Sequence, residues 1–163
     1  MLADMLTPFI RSRFSRFEDC SSMRTALLPL IALLVVTSIA SAGEPLLDLR
    51  VGDARLKAEY ARTPDERERG LMERTEMPAD HGMLFRFDDF RRHCLWMKNT
   101  PLPLSAAFMD ESGRIVDIID LEPLSTAIRC SREPGRYALE VNQGWFESNG
   151  IEIGERVRGI PSE

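Results

Sequence analysis

Two contrasting patterns of hydrophobic residues divide the chain. Residues 26–40 form one apolar run, interrupted only by a proline, a threonine and a serine. Beyond residue 45, apolar residues occur in short stretches or alternate with polar ones, between glycine, proline and acidic turn residues. Short alternating stretches are typical of β-strands. The pattern predicts strands at Leu46–Val51, Leu56–Tyr60, Met83–Phe87, His93–Met97, Ala106–Met109, Ile115–Leu121, Tyr137–Val141 and Arg156–Arg158.

Helical signals are few. Thr63-Pro64-Asp65-Glu66 has the form of a capping box with proline at the first helical position, which predicts a short helix. A second helical turn is predicted over residues 144–149. We therefore expect a mainly β (α+β) fold, a single small antiparallel β barrel or sandwich of about seven short strands with one or two short helices.

The apolar run at residues 26–40 has the features of a secretory signal. Arg24 precedes it and Ala40-Ser41-Ala42 follows, so a basic start, an apolar core and a small-x-small ending occur in order. The run is shorter than the roughly 20 residues of a spanning helix. We expect residues 1–42 to be a signal region cleaved after Ala42, with the true start at Met23 or an unusually long leader. Export to the periplasm or the cell exterior follows; an uncleaved N-terminal anchor is the alternative.

Residues 43–163 have the length of one domain. They hold 17 lysines and arginines against 23 acidic residues, a net charge of −6 with both signs interspersed. Such a surface argues against nucleic acid and anionic membranes as partners. We expect a single monomeric domain with no membrane span after signal cleavage. Its partner would be a small ligand or another protein of the cell envelope.

Two cysteines, Cys94 and Cys130, remain once Cys20 is removed with the leader. In an oxidising compartment such a pair favours a disulfide. In the chain-entropy model this bond would stabilise the fold by about 4 kcal/mol, less any strain. Two buried free thiols are the alternative.

Residues 93–100 contain the densest group of chemically interesting side chains. If this stretch is a strand, His93 and Cys94 point to opposite faces and cannot form a nucleophile–base pair. The two histidines of the chain and this cysteine match no familiar metal-ligand spacing. We expect no metal and no cofactor, and we do not expect an enzyme.

The candidate binding residues surround the point where this strand enters a Pro-x-Pro loop. Polar groups on a loop held by a rigid sheet are well placed to bind a ligand. Turn-building is the alternative role for Asn99 and Thr100, and a salt bridge to the sheet is the alternative for Arg74. A Lys98/Glu140 pair could instead transfer protons in an envelope hydrolase, and a structural or interaction module is a third possibility. The candidates are Trp96, Lys98, Asn99, Thr100, Arg74 and Glu140.

Several segments occur in a characteristic order. They are Gly70-Leu71-Met72-Glu73-Arg74, Gly82-Met83-Leu84-Phe85-Arg86-Phe87, Trp96-Met97-Lys98-Asn99-Thr100-Pro101-Leu102-Pro103-Leu104 and Ala138-Leu139-Glu140-Val141-Asn142. This set closely resembles the bacterial and archaeal family called domain of unknown function 192, over almost all of the chain beyond the leader. The resemblance implies a small β-rich, barrel-like fold. It implies no activity, substrate, cofactor or catalytic residue.

Overall fold

The structure, a computed structural model, describes residues 45–162. The predicted signal region and the proposed start at Met23 lie outside these residues. Within the described range, neither helix is long and apolar enough to cross a membrane. The elements are β1 (Leu47–Val51), β2 (Ala54–Ala61), α1 (Pro64–Arg69), β3 (His81–Arg91), β4 (Cys94–Leu95), β5 (Leu104–Met109), β6 (Ile115–Leu121), β7 (Arg129–Cys130), β8 (Gly135–Asn142), α2 (Trp145–Ser148) and β9 (Val157–Arg158).

Seven strands form one curled sheet in the order β6-β5-β8-β3-β2-β1-β9, and β4 pairs separately with β7. The curl brings the two ends of the sheet together, since the Ile115 N–H donates to the Glu155 carbonyl at 2.8 Å. The predicted mainly β fold with short helices is confirmed. One pair departs from the antiparallel prediction: β2 and β3 run parallel, with Lys57 opposite His81. The connection through α1 returns the chain to the sheet in its original direction, which a parallel pair requires.

The sheet has apolar side chains on both faces. One hydrophobic cluster, which we call the inner cluster, contains residues from all seven strands and therefore fills the inside of the curl. A second, the outer cluster, lies on the opposite face of β3, β5 and β8. It is covered by the segments that follow α1 and β4, through Leu71, Met97 and Leu102. A residue on β8 therefore meets apolar neighbours whichever face it occupies.

The predicted capping box fixes the start of α1. The Glu66 N–H donates to the Thr63 hydroxyl at 3.3 Å, and the Glu66 carboxylate accepts from the Thr63 N–H at 2.9 Å. From the same helix, Arg67 donates to the Asp88 carboxylate at 2.6 Å and to the Arg86 carbonyl at 2.9 Å. These bonds hold the helix and the turn after it against β3.

The short ladder of β4 and β7 is closed by a disulfide. Cys94 lies directly opposite Cys130 in this antiparallel pair, and their sulfur atoms are bonded. The predicted strand over His93–Met97 is reduced to two residues, but the predicted alternation is present. His93 and Met97 are buried, whereas Cys94 and Trp96 are exposed. β7 was not predicted, because a two-residue strand leaves no periodic signal.

Candidate functional site

Glu140 is a buried acidic side chain on the outer face of the sheet. Its chain neighbours Leu139 and Val141 belong to the inner cluster, so the alternation of β8 turns Glu140 to the outer cluster. In the sheet it lies opposite Met83 of β3 and Ala106 of β5, both apolar. Only 5% of the Glu140 residue surface is exposed. The sequence did not decide whether this side chain is buried or exposed. In the structure it is buried, on the outer face of the sheet.

The Glu140 side chain lines a cavity of about 210 Å³, which we call the Glu140 cavity. The cavity lies between the outer face of the sheet and the two covering segments. Charged residues of α1, namely Arg67, Glu68 and Arg69, also contribute to its lining. Most of the other lining side chains are apolar or aromatic: Leu71, Met72, Phe85, Phe87, Leu95, Trp96 and Met97.

The carboxyl group of Glu140 has no hydrogen-bond or ion-pair partner among residues 45–162. Burial is the cause of its altered titration: removal from water raises the pKa of Glu140 from 4.5 to about 8. A carboxyl with such a pKa is mostly protonated at neutral pH. It therefore presents one O–H donor and one carbonyl acceptor to the cavity, rather than a negative charge.

Three of the six predicted binding residues meet at this cavity: Trp96, Thr100 and Glu140. Trp96 also remains 42% exposed. Thr100 is buried, and its N–H donates to the Met97 carbonyl at 3.1 Å while its hydroxyl donates to the Lys98 carbonyl at 3.3 Å. Thr100 thus closes the turn that brings the covering segment back towards the sheet.

Lys98 and Asn99 lie in that turn and do not line the cavity. The Lys98 ammonium lies 5.1 Å from the centre of the Trp96 ring, on the exposed side of the segment. Asn99 has a φ of 57°, a conformation that asparagine tolerates better than most residues, and its carbonyl accepts from the Glu73 N–H at 2.7 Å. Within the described part of the chain no ion pair joins Lys98 to Glu140. The turn-building role of Asn99 and Thr100 agrees with these contacts.

Arg74 lies apart from the Glu140 cavity. Its guanidinium makes two parallel hydrogen bonds to the carboxylate of Glu59 on β2, of which the Nη2–Oε2 bond is 2.7 Å long. Hydrogen bonding to Glu59 raises the pKa of Arg74 above its ordinary value, so the guanidinium stays charged. The contact is the salt bridge to the sheet that the sequence offered as the alternative role for Arg74.

His93 supports one wall of the cavity from behind. Its ring stacks on Phe87 with centres 3.6 Å apart and planes inclined by 9°. Its Nε2 lies 3.0 Å from the Asp89 carbonyl, which can only accept, so this nitrogen carries the proton. Burial is the main cause that lowers the pKa of His93, and the ring is neutral at physiological pH. No group of three or more His, Cys, Asp or Glu residues within 45–162 is arranged to hold a metal ion.

The aromatic walls of the cavity were missed as functional residues. Phe85 and Phe87 alternate with Leu84 and Arg86 along β3, so the sequence gives them the pattern of ordinary core residues. One signal pointed to them. Leu71, Phe85 and Phe87 all lie in the segments that carry the family resemblance, together with Trp96 and Glu140.

A family model described as Uncharacterized ACR, DUF192, matches residues 47–159. No curated protein is significantly similar to the chain. Among solved structures, the chain is similar to a candidate transcription regulator from Sinorhizobium meliloti 1021, with 41% identity and a TM-score of 0.68. That match covers 70% of this chain and 93% of the other. A protein of unknown function from Novosphingobium aromaticivorans DSM 12444 is 30% identical, with a TM-score of 0.66 and coverage of 69% and 84%.

Proposed function

The chain belongs to the DUF192 family, and we propose that this member binds a small ligand in the Glu140 cavity. One observation carries the proposal: Glu140 is a buried residue, 5% exposed, whose carboxyl group lines a cavity and has no hydrogen-bond or ion-pair partner among residues 45–162. The carboxyl oxygens are accessible from the cavity, so a ligand there can form a hydrogen bond with them. Such a bond contributes about 0.5–1.5 kcal/mol net of the water that it replaces.

The shape and lining of the cavity set the size of the ligand. Its volume of about 210 Å³ lies below the range of about 300–1,000 Å³ that is usual for drug-sized ligands. Aromatic rings from Phe85 and Trp96 and thioethers from Met72 and Met97 offer broad apolar contact. The proposed ligand is therefore no larger than a single-ring compound, with most of its surface apolar.

The compartment in which the protein acts is a further part of the proposal. The signal-like sequence that ends at Ala42 supports export to the periplasm or the cell exterior. The Cys94–Cys130 disulfide supports the same conclusion, because disulfides persist in oxidising compartments. The ligand would then be a component of the cell envelope or a solute that passes through it.

A second candidate function is protein binding, and one observation favours it. Three large apolar side chains between β4 and β7 are well exposed: Trp96 at 42%, Leu124 at 61% and Ile128 at 70%. Two hydrogen bonds of 2.9 Å, from the Met97 N–H to the Ser125 carbonyl and from the Leu124 N–H to the Thr100 carbonyl, join the segments that carry them. Exposed apolar patches can mark protein-interaction sites. This candidate predicts that replacing Leu124 and Ile128 by serine prevents copurification of an envelope partner, while small-molecule binding is unaffected.

Ligand binding is tested by a thermal-shift screen on the oxidised full chain with single-ring compounds that carry neutral, acidic or basic groups, and with amino acids and single sugars as small polar comparisons. Leu95→Trp narrows the cavity, and Leu124→Trp is the matched control because Leu124 is exposed and lies outside the cavity lining. A true ligand at 100 times its Kd should stabilise the wild type by about 2.7 kcal/mol. The same gain is expected for Leu124→Trp but not for Leu95→Trp. Equal gains in both variants, or no gain with any compound, would refute the proposal.

A further inference from the structure

We infer that the Glu140 cavity selects a small uncharged amide with an apolar or aromatic body, whose carbonyl accepts a hydrogen bond from the Glu140 carboxyl. The inference rests on the proposed ligand-binding function of the same cavity and adds the chemical class of the ligand. It follows from the surroundings of the carboxyl group, from the charges around the cavity and from the matching geometry of acids and amides.

The surroundings of Glu140 favour its uncharged form. The residues opposite it in the sheet, Met83 and Ala106, are apolar. His93, behind Phe87, is kept neutral by its own burial. No cationic side chain in residues 45–162 forms an ion pair with Glu140. An unpaired carboxylate in such a place is disfavoured. Consistently, burial raises the pKa of Glu140 to about 8, so that about nine-tenths of the molecules are protonated at pH 7.

The charges that line the cavity do not favour a cationic ligand. They belong to α1, where two arginines, Arg67 and Arg69, stand beside a single acid, Glu68. Arg67 is also engaged by Asp88 at 2.6 Å. A cation binds the ionised carboxylate, so the proton on Glu140 lowers its apparent affinity at pH 7 about tenfold relative to its affinity for the fully ionised site.

An anionic ligand is disfavoured by the walls. Most side chains that line the cavity are apolar, and the charged ones come from α1, where no residue is buried. A carboxylate beside the buried Glu140 would therefore find few hydrogen-bond donors to replace its water. An uncharged head group avoids both penalties. The ligand therefore has to be neutral where it touches Glu140.

Among neutral groups, an amide matches the carboxyl most completely. A protonated carboxyl has an O–H donor and a carbonyl acceptor side by side. An amide has a carbonyl acceptor and an N–H donor with the same spacing, so two hydrogen bonds form at once. A ketone or an ester satisfies only the O–H group and leaves the Glu140 carbonyl without a donor.

The test uses four ring compounds of similar size: benzamide, benzylammonium, benzoate and toluene. Each is titrated into the full chain carrying ¹³C-methyl methionine. The Met72 and Met97 methyl groups report on the cavity, whereas Met109 lies in the inner cluster and serves as the internal control. We expect benzamide to shift the first two signals and not the third, with a Kd at least about tenfold lower than the Kd of either ion. Since benzamide needs the protonated acid, its Kd should be about tenfold higher at pH 9 than at pH 7.

Glu140→Gln provides an independent measurement, because the glutamine amide keeps a donor and an acceptor but does not titrate. Benzamide should bind this variant within about threefold of the wild-type Kd, and without pH dependence. Glu76→Gln, at an exposed position, should retain the wild-type pH dependence.

Tighter binding of either ion, or loss of benzamide binding in a folded Glu140→Gln variant, overturns the ligand class and leaves ligand binding intact. If none of the four compounds shifts Met72 or Met97, the proposed function fails as well. Should Glu140→Gln not fold, the wild-type pH series decides the question.

Discussion

Gly82 lies directly against the backbone of Glu140: a Cβ atom added to Gly82 would come within 2.5 Å of the Glu140 carbonyl oxygen. The same Cβ would lie 3.1 Å from a methyl group of Val141. Since β3 and β8 are neighbours in the sheet, this close approach fixes the position of β8 and therefore of the Glu140 side chain. Because Gly82 has no side chain, β8 can lie this close to β3, and this position of β8 places Glu140 at the cavity.

We predict that Gly82→Ala destabilises the protein by about 1–3 kcal/mol, because the added carbon overpacks the contact between the strands. Urea unfolding measures the loss. The φ of Gly82 lies outside the left-handed region, so alanine adds no backbone strain there and the loss reports the overpacking. An unchanged free energy of unfolding in Gly82→Ala would show that the close approach to Glu140 is not a constraint.

The pH dependence of stability should carry the signature of Glu140. Its pKa is about 8 in the folded protein against 4.5 for an ordinary glutamate, so the folded state holds a proton that the unfolded chain releases. The contribution is fully present below about pH 4.5 and is lost as the pH rises to about 8. Stability of the wild type, measured by urea unfolding, should therefore fall by a few kcal/mol over this interval.

Glu140→Gln should remove this fall, since glutamine does not titrate, while Glu76→Gln should leave it in place. Wild type and Glu140→Gln would be compared at each pH under the same ionic strength. Parallel stability curves for the two proteins would mean that Glu140 titrates normally in the folded state.

The Cys94–Cys130 disulfide closes a loop of the chain and joins β4 to β7. Replacing both cysteines by alanine should lower the free energy of unfolding by about 2–4 kcal/mol. Dithiothreitol should have the same effect on the wild type and none on the double variant. An unchanged unfolding midpoint of the wild type under reducing conditions would contradict this assignment.

Asp117 on β6 and Arg132, which follows β7, form an ion pair that also links the sheet to this part of the chain. The Asp117 side chain is fully buried and accepts hydrogen bonds from the Arg132 N–H at 2.8 Å, Nε at 2.8 Å and Nη2 at 2.5 Å. Burial raises the pKa of Asp117, but these bonds and the positive charge outweigh it, and the net pKa lies below 3.8. The contribution of the pair is therefore present above pH 3.8 and is lost as the pH falls through the lower, folded value.

Arg132→Ala leaves the buried Asp117 carboxylate with backbone donors alone and should lower the free energy of unfolding at pH 7. The cost should shrink towards pH 3, where the unfolded chain holds the proton. Arg158→Ala, at an exposed position on β9, should change stability by less than about 0.5 kcal/mol. Equal effects of the two substitutions in chemical denaturation would exclude a stabilising role for the pair.

Local signals in the sequence were sufficient for the elements that local interactions build. The β1–β2 hairpin follows from alternation on both sides of Gly52-Asp53, and α1 follows from the hydrogen bonds that Thr63 and Glu66 exchange. The parallel pairing of β2 with β3 could not be predicted, because it depends on where the chain returns to the sheet after α1. β7 was too short to leave a pattern.

The candidate site shows the same division. Trp96, Thr100 and Glu140 were identified from residue type and position, but the direction of Glu140 could not be derived from its neighbours. An alternating pattern shows which side chains face the core only when one face of the strand is polar. Both faces of β8 pack against hydrophobic clusters. The cavity itself exists because two distant segments lie over the sheet, and no local pattern encodes that arrangement.

The central claim is that Glu140 presents an unpaired and mostly protonated carboxyl to its cavity. It is tested most directly by a ¹³C NMR pH titration of the full chain labelled at the glutamate carboxyl carbons, with Glu140→Gln identifying the signal. The account predicts that one carboxyl titrates at about pH 8, and that its signal is missing from the variant. If the signal that disappears in Glu140→Gln titrates near 4.5 in the wild type, the carboxyl is ionised at neutral pH and the account is wrong.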